Sequence, residues 1–173
     1  LPVTWQLPFE LHVHARGSIA SMHFDTQSTA MGMLQPPEVE IEIRAAGLNF
    51  RDVLDVLGLY PQTQGQPFAP GDDCAGVLSR VGELSSRTVG DAAYGSPGFA
   101  YACSCFASFA HAVSPLVVPM PQVLTFEQAC TLPTTFSTVH TAFDRMALRA
   151  TCTLLLHAAA GGVGLVACED ASW

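Results

Sequence analysis

The chain has 173 residues, of which 49% are apolar and 13% are charged. That length and balance allow one substantial domain, or a domain and a piece of another, around a normal core, and they exclude a disordered chain. A formal net charge of −8 excludes a sequence-independent grip on nucleic acid or an anionic membrane, since both need a surplus of Lys and Arg.

In chain order, LPVTWQLPFE at 1–10 has no basic stretch leading into a long apolar one, so it does not read as a signal peptide. No run reaches the roughly 18 to 20 apolar residues of a membrane span, and cytoplasmic residence is expected. Residues 10–15 alternate in character and predict a short strand. The alternation is clearest at 38–44, where Val39, Ile41 and Ile43 point one way and three glutamates the other, the pattern of a half-buried antiparallel strand. Residues 49–57 predict a short helix, with Phe50, Val53, Leu54 and Leu57 at helical spacing and Gly58 as its stop. Further strands are predicted at 74–81, 106–113 and 116–118, punctuated by Gly, Pro and Ser. Many short strands imply a mostly β barrel or sandwich.

The pattern changes near residues 120–130. Thr125 and Gln128 have the spacing of a capping box, and a helical stretch interrupted by Pro133 runs to about Leu148. Residues 153–157 then form a short continuous apolar run, followed by AAAGGVG and a helix-compatible segment. Strand, glycine turn and helix are the opening of a parallel α/β domain, and the glycines would let a pyrophosphate approach the amides of a helix N-terminus. The same glycines would also serve close strand-to-helix packing. Six cysteines at 74, 103, 105, 130, 152 and 168 contain no paired CxxC, so scattered, reduced and mostly buried thiols are expected rather than a metal site.

Two segments carry a specific resemblance. LLLHAAAGGVGLVAC at 154–168 and RAAGLNFRDVLDVLGLYP at 44–61 resemble the cofactor turn and the substrate-side signature of the zinc-free quinone oxidoreductase and enoyl reductase branch of the medium-chain dehydrogenase/reductase superfamily. GDDCAG at 71–76, VGDAAYG at 89–95 and FSTVHTAF at 136–143 agree with it. LHVHARGSIASMHF at 11–24 resembles the segment that opens enoyl reductase domains of polyketide and fatty acid synthases.

The resemblance implies a mostly β GroES-like barrel domain over 1–125, then, over 126–173, a helix and the first βα unit of a Rossmann domain that binds NADPH. The implied reaction is hydride transfer to the β-carbon of an α,β-unsaturated acyl thioester, carried on an acyl carrier protein, followed by protonation at the α-carbon. Homodimerisation or contact with other synthase domains is implied as well. Tyr60 matches a tyrosine associated with that protonation and the resulting methyl stereochemistry, or else packs beside a turn. Asn49 matches an asparagine near nicotinamide and substrate, and is also a good N-cap. Thr138 matches a threonine facing the nicotinamide amide, or bonds back to its own helix. Ala160, Gly161, Gly162, Val163 and Gly164 match the phosphate turn. Arg51, Asp52 and His157 are read as structural. GDD at 71–73 stands where zinc-dependent relatives carry GHE, so no metal is expected. After GGVGLVAC the chain reads EDASW, where the family continues its helix and a second strand. A chain cut inside its nucleotide-binding domain is therefore expected, with doubt for the activity of the isolated piece. A free-standing quinone oxidoreductase and a non-catalytic GroES-like module that binds other chains are the alternatives.

Overall fold

The computed structural model describes residues 7–28, 32–61, 69–97 and 104–172. They divide into two compact units, Leu1–Thr131 and Leu132–Trp173. In the first, β1 (Phe9–Val13) and β2 (Met22–Thr26) form an antiparallel ribbon. A five-stranded antiparallel sheet is built from β3 (Glu38–Gly47), β4 (Asp73–Val81), β5 (Ala92–Gly95), β6 (Phe109–Val113) and β7 (Val117–Pro119), in the order β6-β3-β4-β5-β7. Helix α1 (Phe50–Val56) follows β3, and a single turn, α2 (Phe126–Ala129), follows β7. The result is a curled antiparallel half-barrel with helices, the GroES-like architecture.

The sheet curls because β3 breaks register twice against β4, between Glu40 and Ile41 and again between Ile43 and Ala45. Such irregularities bend a strand and increase its twist. Val39, Ile41, Leu78, Ala93, Ala110, Ala112, Val117, Cys74 and Cys105 fill the resulting concavity. A second cluster, Ala75, Ala129 and Cys130, seats α2 on the sheet.

The apolar half of the 38–44 alternation packs as expected, but the opposite face is not a solvated row of glutamates. Glu40 is only 2% exposed. It accepts from Ser79 Oγ at 2.9 Å and pairs with Arg80 at 3.2 Å and His111 at 2.9 Å, cross-strand neighbours on β4 and β6. Burial of that carboxylate is tolerated because three donors surround it. Strands β2 and β5 lie where the sequence gives no clear strand signal.

At Phe109 the outer edge of β6 is met by a side chain. Gln27 donates Nε2 to the Phe109 carbonyl at 2.7 Å and accepts the Phe109 amide at 3.0 Å, so its amide stands in for a strand residue. The ribbon continues alongside, with Leu11 N–H on the Phe106 carbonyl at 2.9 Å and Ser108 N–H on the Phe9 carbonyl at 2.8 Å.

The second unit consists of α3 (Pro133–Met146) and α4 (Gly162–Asp170), packed on one another. Pro133 opens α3 at a position where its missing N–H costs nothing, and Ala147 ends it in the left-handed conformation with φ 48°. The segment 153–157, expected as a buried strand, is not one, and Leu155 is 80% exposed. A parallel strand obtains its ladder only from neighbours, and among the described residues none lies beside this segment. Of the expected βα unit, the turn and the helix are present. Cys74, Cys105 and Cys130 are buried as expected, whereas Cys152 and Cys168 are exposed; Cys103 of the CxC lies outside the described residues. No described helix is long and apolar enough to cross a membrane.

Candidate functional site

Two sets of sequence-predicted residues are found, one in each unit. In the first, Asn49 and Tyr60 flank α1. Asn49 is the helix N-cap by position, and its backbone amide donates to Asp52 Oδ2 at 2.8 Å. Its side-chain Nδ2 donates to Asp73 Oδ2 at 3.1 Å. Asp73, 1% exposed, also accepts from Ser96 Oγ. With one N–H held by Asp73 and its side-chain oxygen turned to the Asp52 backbone in a capping box, Asn49 keeps a second N–H for a polar ligand.

Asp52 does more than cap. Its other oxygen accepts the Gly71 amide at 2.8 Å, which ties α1 to the GDD turn. Gly71 takes φ 96° there, and a Cβ would come within 3.0 Å of the Cys105 and Phe106 backbone nitrogens, so only glycine fits. Burial pushes the Asp52 carboxyl above its ordinary range, with the Gly71 and Asn49 amides pulling the other way. Burial likewise raises Asp72, against the opposing pull of Arg51, whose Nη1 lies 3.3 Å from Asp72 Oδ2.

Tyr60 is 40% exposed and is held from two sides. The Arg51 guanidinium carbon lies 5.3 Å from its ring centroid, within cation–π range. Arg16 Nη2 donates to its backbone carbonyl at 2.8 Å. Both arginines meet Asp55, Arg16 Nη2 at 3.1 Å and Arg51 Nε at 3.6 Å. Exposed Leu48, Phe50 and Leu59 border the same helix and offer apolar surface to an acyl chain. Arg16, Asp55 and Ser96 were not singled out by sequence reasoning, and Asp73 only within GDD as a departure from the zinc pattern. They lie 24 to 47 positions from Asn49 or over 40 from Tyr60 or on an ordinary helix face, and no local spacing marks them.

In the second unit, the peptide turns through Ala158 at φ 54° and Ala160 into Gly161, the N-cap of α4, which no side chain caps. The first amides of a helix have no intrahelical acceptor, so those of Gly162, Val163 and Gly164 are available to an anion. A Cβ on Gly161 or Gly162 would meet nothing nearer than 3.5 Å and 3.8 Å, whereas one on Gly164 would fall 2.6 Å from Ala159 Cα. The first two therefore leave the outer side open for a ligand, and the third permits close packing of turn on helix. This arrangement fits the pyrophosphate of a dinucleotide. On α3, Thr138 donates its hydroxyl hydrogen to the Thr134 carbonyl at 2.6 Å, so toward a ligand it acts as an acceptor. His157 is exposed in the turn.

At GDD, Asp72 and Asp73 are engaged by Arg51, Asn49 and Ser96. Among the described residues no group of three or more His, Cys, Asp or Glu is arranged to hold a metal ion. His14 and His23 stack at 3.9 Å across the ribbon.

Residues 35–137 match the alcohol dehydrogenase GroES-like domain. A highly reducing polyketide synthase of Didymella fabae is 37% identical over 90% of this chain, which spans 8% of that protein. The solved enoyl reductase CurK is 34% identical over 95% of this chain and 51% of its own, with a TM-score of 0.80. A mycobacterial protein solved in complex with NADPH is 26% identical over 95% of this chain and 50% of its own, with a TM-score of 0.77. The chain thus spans about half the length of these solved structures and a small part of the synthase.

Proposed function

We propose, from the premise that this chain belongs to the alcohol dehydrogenase GroES-like domain family within the medium-chain dehydrogenase/reductase superfamily, that it is part of an NADPH-dependent enoyl reductase acting in polyketide synthesis. The likeness to a reducing polyketide synthase and to CurK supports the reaction class. The observation that carries the reading is that Asn49 and Tyr60, at the two ends of α1, are both immobilised by buried or paired charge.

NADPH, when bound, supplies the hydride that reduces the β-carbon of an enoyl thioester. The amides of Gly162, Val163 and Gly164 would hold its pyrophosphate, with Ala160 and Gly161 shaping the approach. Thr138 would accept a hydrogen bond from the carboxamide. Asn49 would orient the substrate through its remaining N–H. Hydride addition drives the alkene π electrons toward the thioester oxygen. Tyr60 then gives its phenolic proton to the α-carbon and is reprotonated from water. The substrate would arrive on an acyl carrier protein, with other synthase domains as neighbours. The reaction needs no metal in this scheme, since Asp72 and Asp73 serve as ion-pair and hydrogen-bond partners.

The test is fluorescence titration of the chain with NADPH, together with turnover of crotonyl thioester against a small quinone. NADPH binding with preference for the thioester supports the reading. Preference for the quinone would point to a free-standing quinone reductase, and a folded chain that binds no NADPH would make this segment a GroES-like module without its own chemistry.

A further inference from the structure

Tyr60 is 40% exposed, and charged neighbours help to fix it. Asp55, buried near the end of α1, gathers Arg16 at 3.1 Å and Arg51 at 3.6 Å on its two oxygens. Arg16 Nε donates in addition to the Asp55 carbonyl at 2.7 Å. From that anchor Arg16 reaches the Tyr60 carbonyl at 2.8 Å, and Arg51 lies 5.3 Å from the centre of the phenol ring. Asp72 fixes the far side of the Arg51 guanidinium at 3.3 Å. Backbone bonds from Leu59 and Tyr60 N–H to the Leu54 carbonyl, at 2.8 Å and 3.2 Å, hold the chain between helix and ring.

We infer that Arg51, braced by Asp55 and Asp72, is a positioning residue that fixes the Tyr60 ring against one face of the substrate and so determines which face of the α-carbon is protonated. The inference rests on the reading of Tyr60 as the proton donor. A cation beside a ring restricts its rotation, because the attraction is strongest over the ring face. Without it the half-exposed phenol samples other rotamers, and the proton reaches either face from phenol or water. Arg51 touches neither substrate nor cofactor in this scheme and acts through Tyr60 alone.

The experiment uses the full-length polypeptide that contains these residues and an α-methyl enoyl thioester. The ratio of the two α-methyl product isomers is read by chiral chromatography, alongside NADPH affinity. Tyr60→Phe is expected to lower the isomer ratio about tenfold, and Arg51→Gln to lower it comparably, with NADPH affinity within about twofold of the parent. The double variant falls no further than either single one, and Arg51→Lys recovers most of the ratio because the cation is kept. Where Arg51→Gln does not fold, it is paired with Asp72→Asn, which removes the carboxylate left without its cation. An unchanged ratio in the Arg51 variants, with Tyr60→Phe altering it, overturns the positioning role while leaving Tyr60 as donor. An unchanged ratio in Tyr60→Phe itself overturns the donor reading and the positioning role with it.

Discussion

Asp73 carries more of the first unit's order than its place in a surface-like GDD triplet suggests. It is almost fully buried and holds both Asn49 and Ser96. Asp73→Asn keeps the shape but turns charge-assisted hydrogen bonds into neutral ones and is expected to cost about 1–3 kcal/mol, read as a lower urea midpoint. Asp72 behaves differently. Burial raises its carboxyl above its ordinary 3.8, so the folded chain holds this proton to higher pH than the unfolded chain does. Stability then falls as pH rises through that interval, the reverse of a salt-bridged carboxylate with a lowered value. Asp72→Asn removes this titration, and its stability should gain on the parent as pH rises above about 4. Urea melts across that range check the sign; a variant that loses ground with rising pH would refute it. None of this was legible in the sequence. GDD pointed away from zinc, but that its carboxylates meet Arg51, Asn49 and Ser96 depends on residues 21 to 24 positions away, brought close by the pairing of β4 with β3 and β5.

Elements were legible where one local signal dominated. The 38–44 alternation and the Asn49-led helix came through because period and cap agree with the fold. The 125–128 capping box did too, with Thr125 accepting from Gln128 N–H. What failed were properties that belong to neighbours. The glutamates of β3 look like a wet face until β4 and β6 supply Arg80 and His111. Glu40→Gln should therefore destabilise the unit by about 1–3 kcal/mol, as a buried network loses its charge, and thermal melts check it. The run at 153–157 has the composition of a central strand but gains that state only from adjoining strands. The glycine turn separates two roles that spacing alone left open. Gly161→Ala should leave helix content unchanged and weaken NADPH binding by crowding the open side. Gly164→Ala should disturb the turn as well, because its new methyl meets the backbone of Ala158 and Ala159. Circular dichroism and NADPH titration together tell the two apart.

At the scale of the molecule the two units differ in what they bury. The first has a contiguous core of nine buried residues, whereas in the second only Val139 and Ala167 are buried apolar residues among those described, and Leu155, Val163 and Leu165 are exposed. Local stability follows buried apolar contact. Amides of Ile41 and Leu78 should therefore exchange only through global opening, while those of α3 and α4 exchange earlier; equal protection in hydrogen exchange would contradict this. The division between an antiparallel β portion and a helical portion with a glycine turn was visible in the sequence as a switch of period. The unequal strength of the two parts was not, since it depends on how many partners each apolar residue finds.

Gln27 meets the edge of β6 at Phe109 with a side chain. A backbone edge passes its pattern on, because each strand that docks presents a new row of donors and acceptors for the next. A carboxamide satisfies one N–H and one C=O and then ends in carbons, so it answers the edge without reproducing it. The outer side of β6 is thereby blocked to a further strand at Phe109, an effect larger than the two hydrogen bonds alone would suggest.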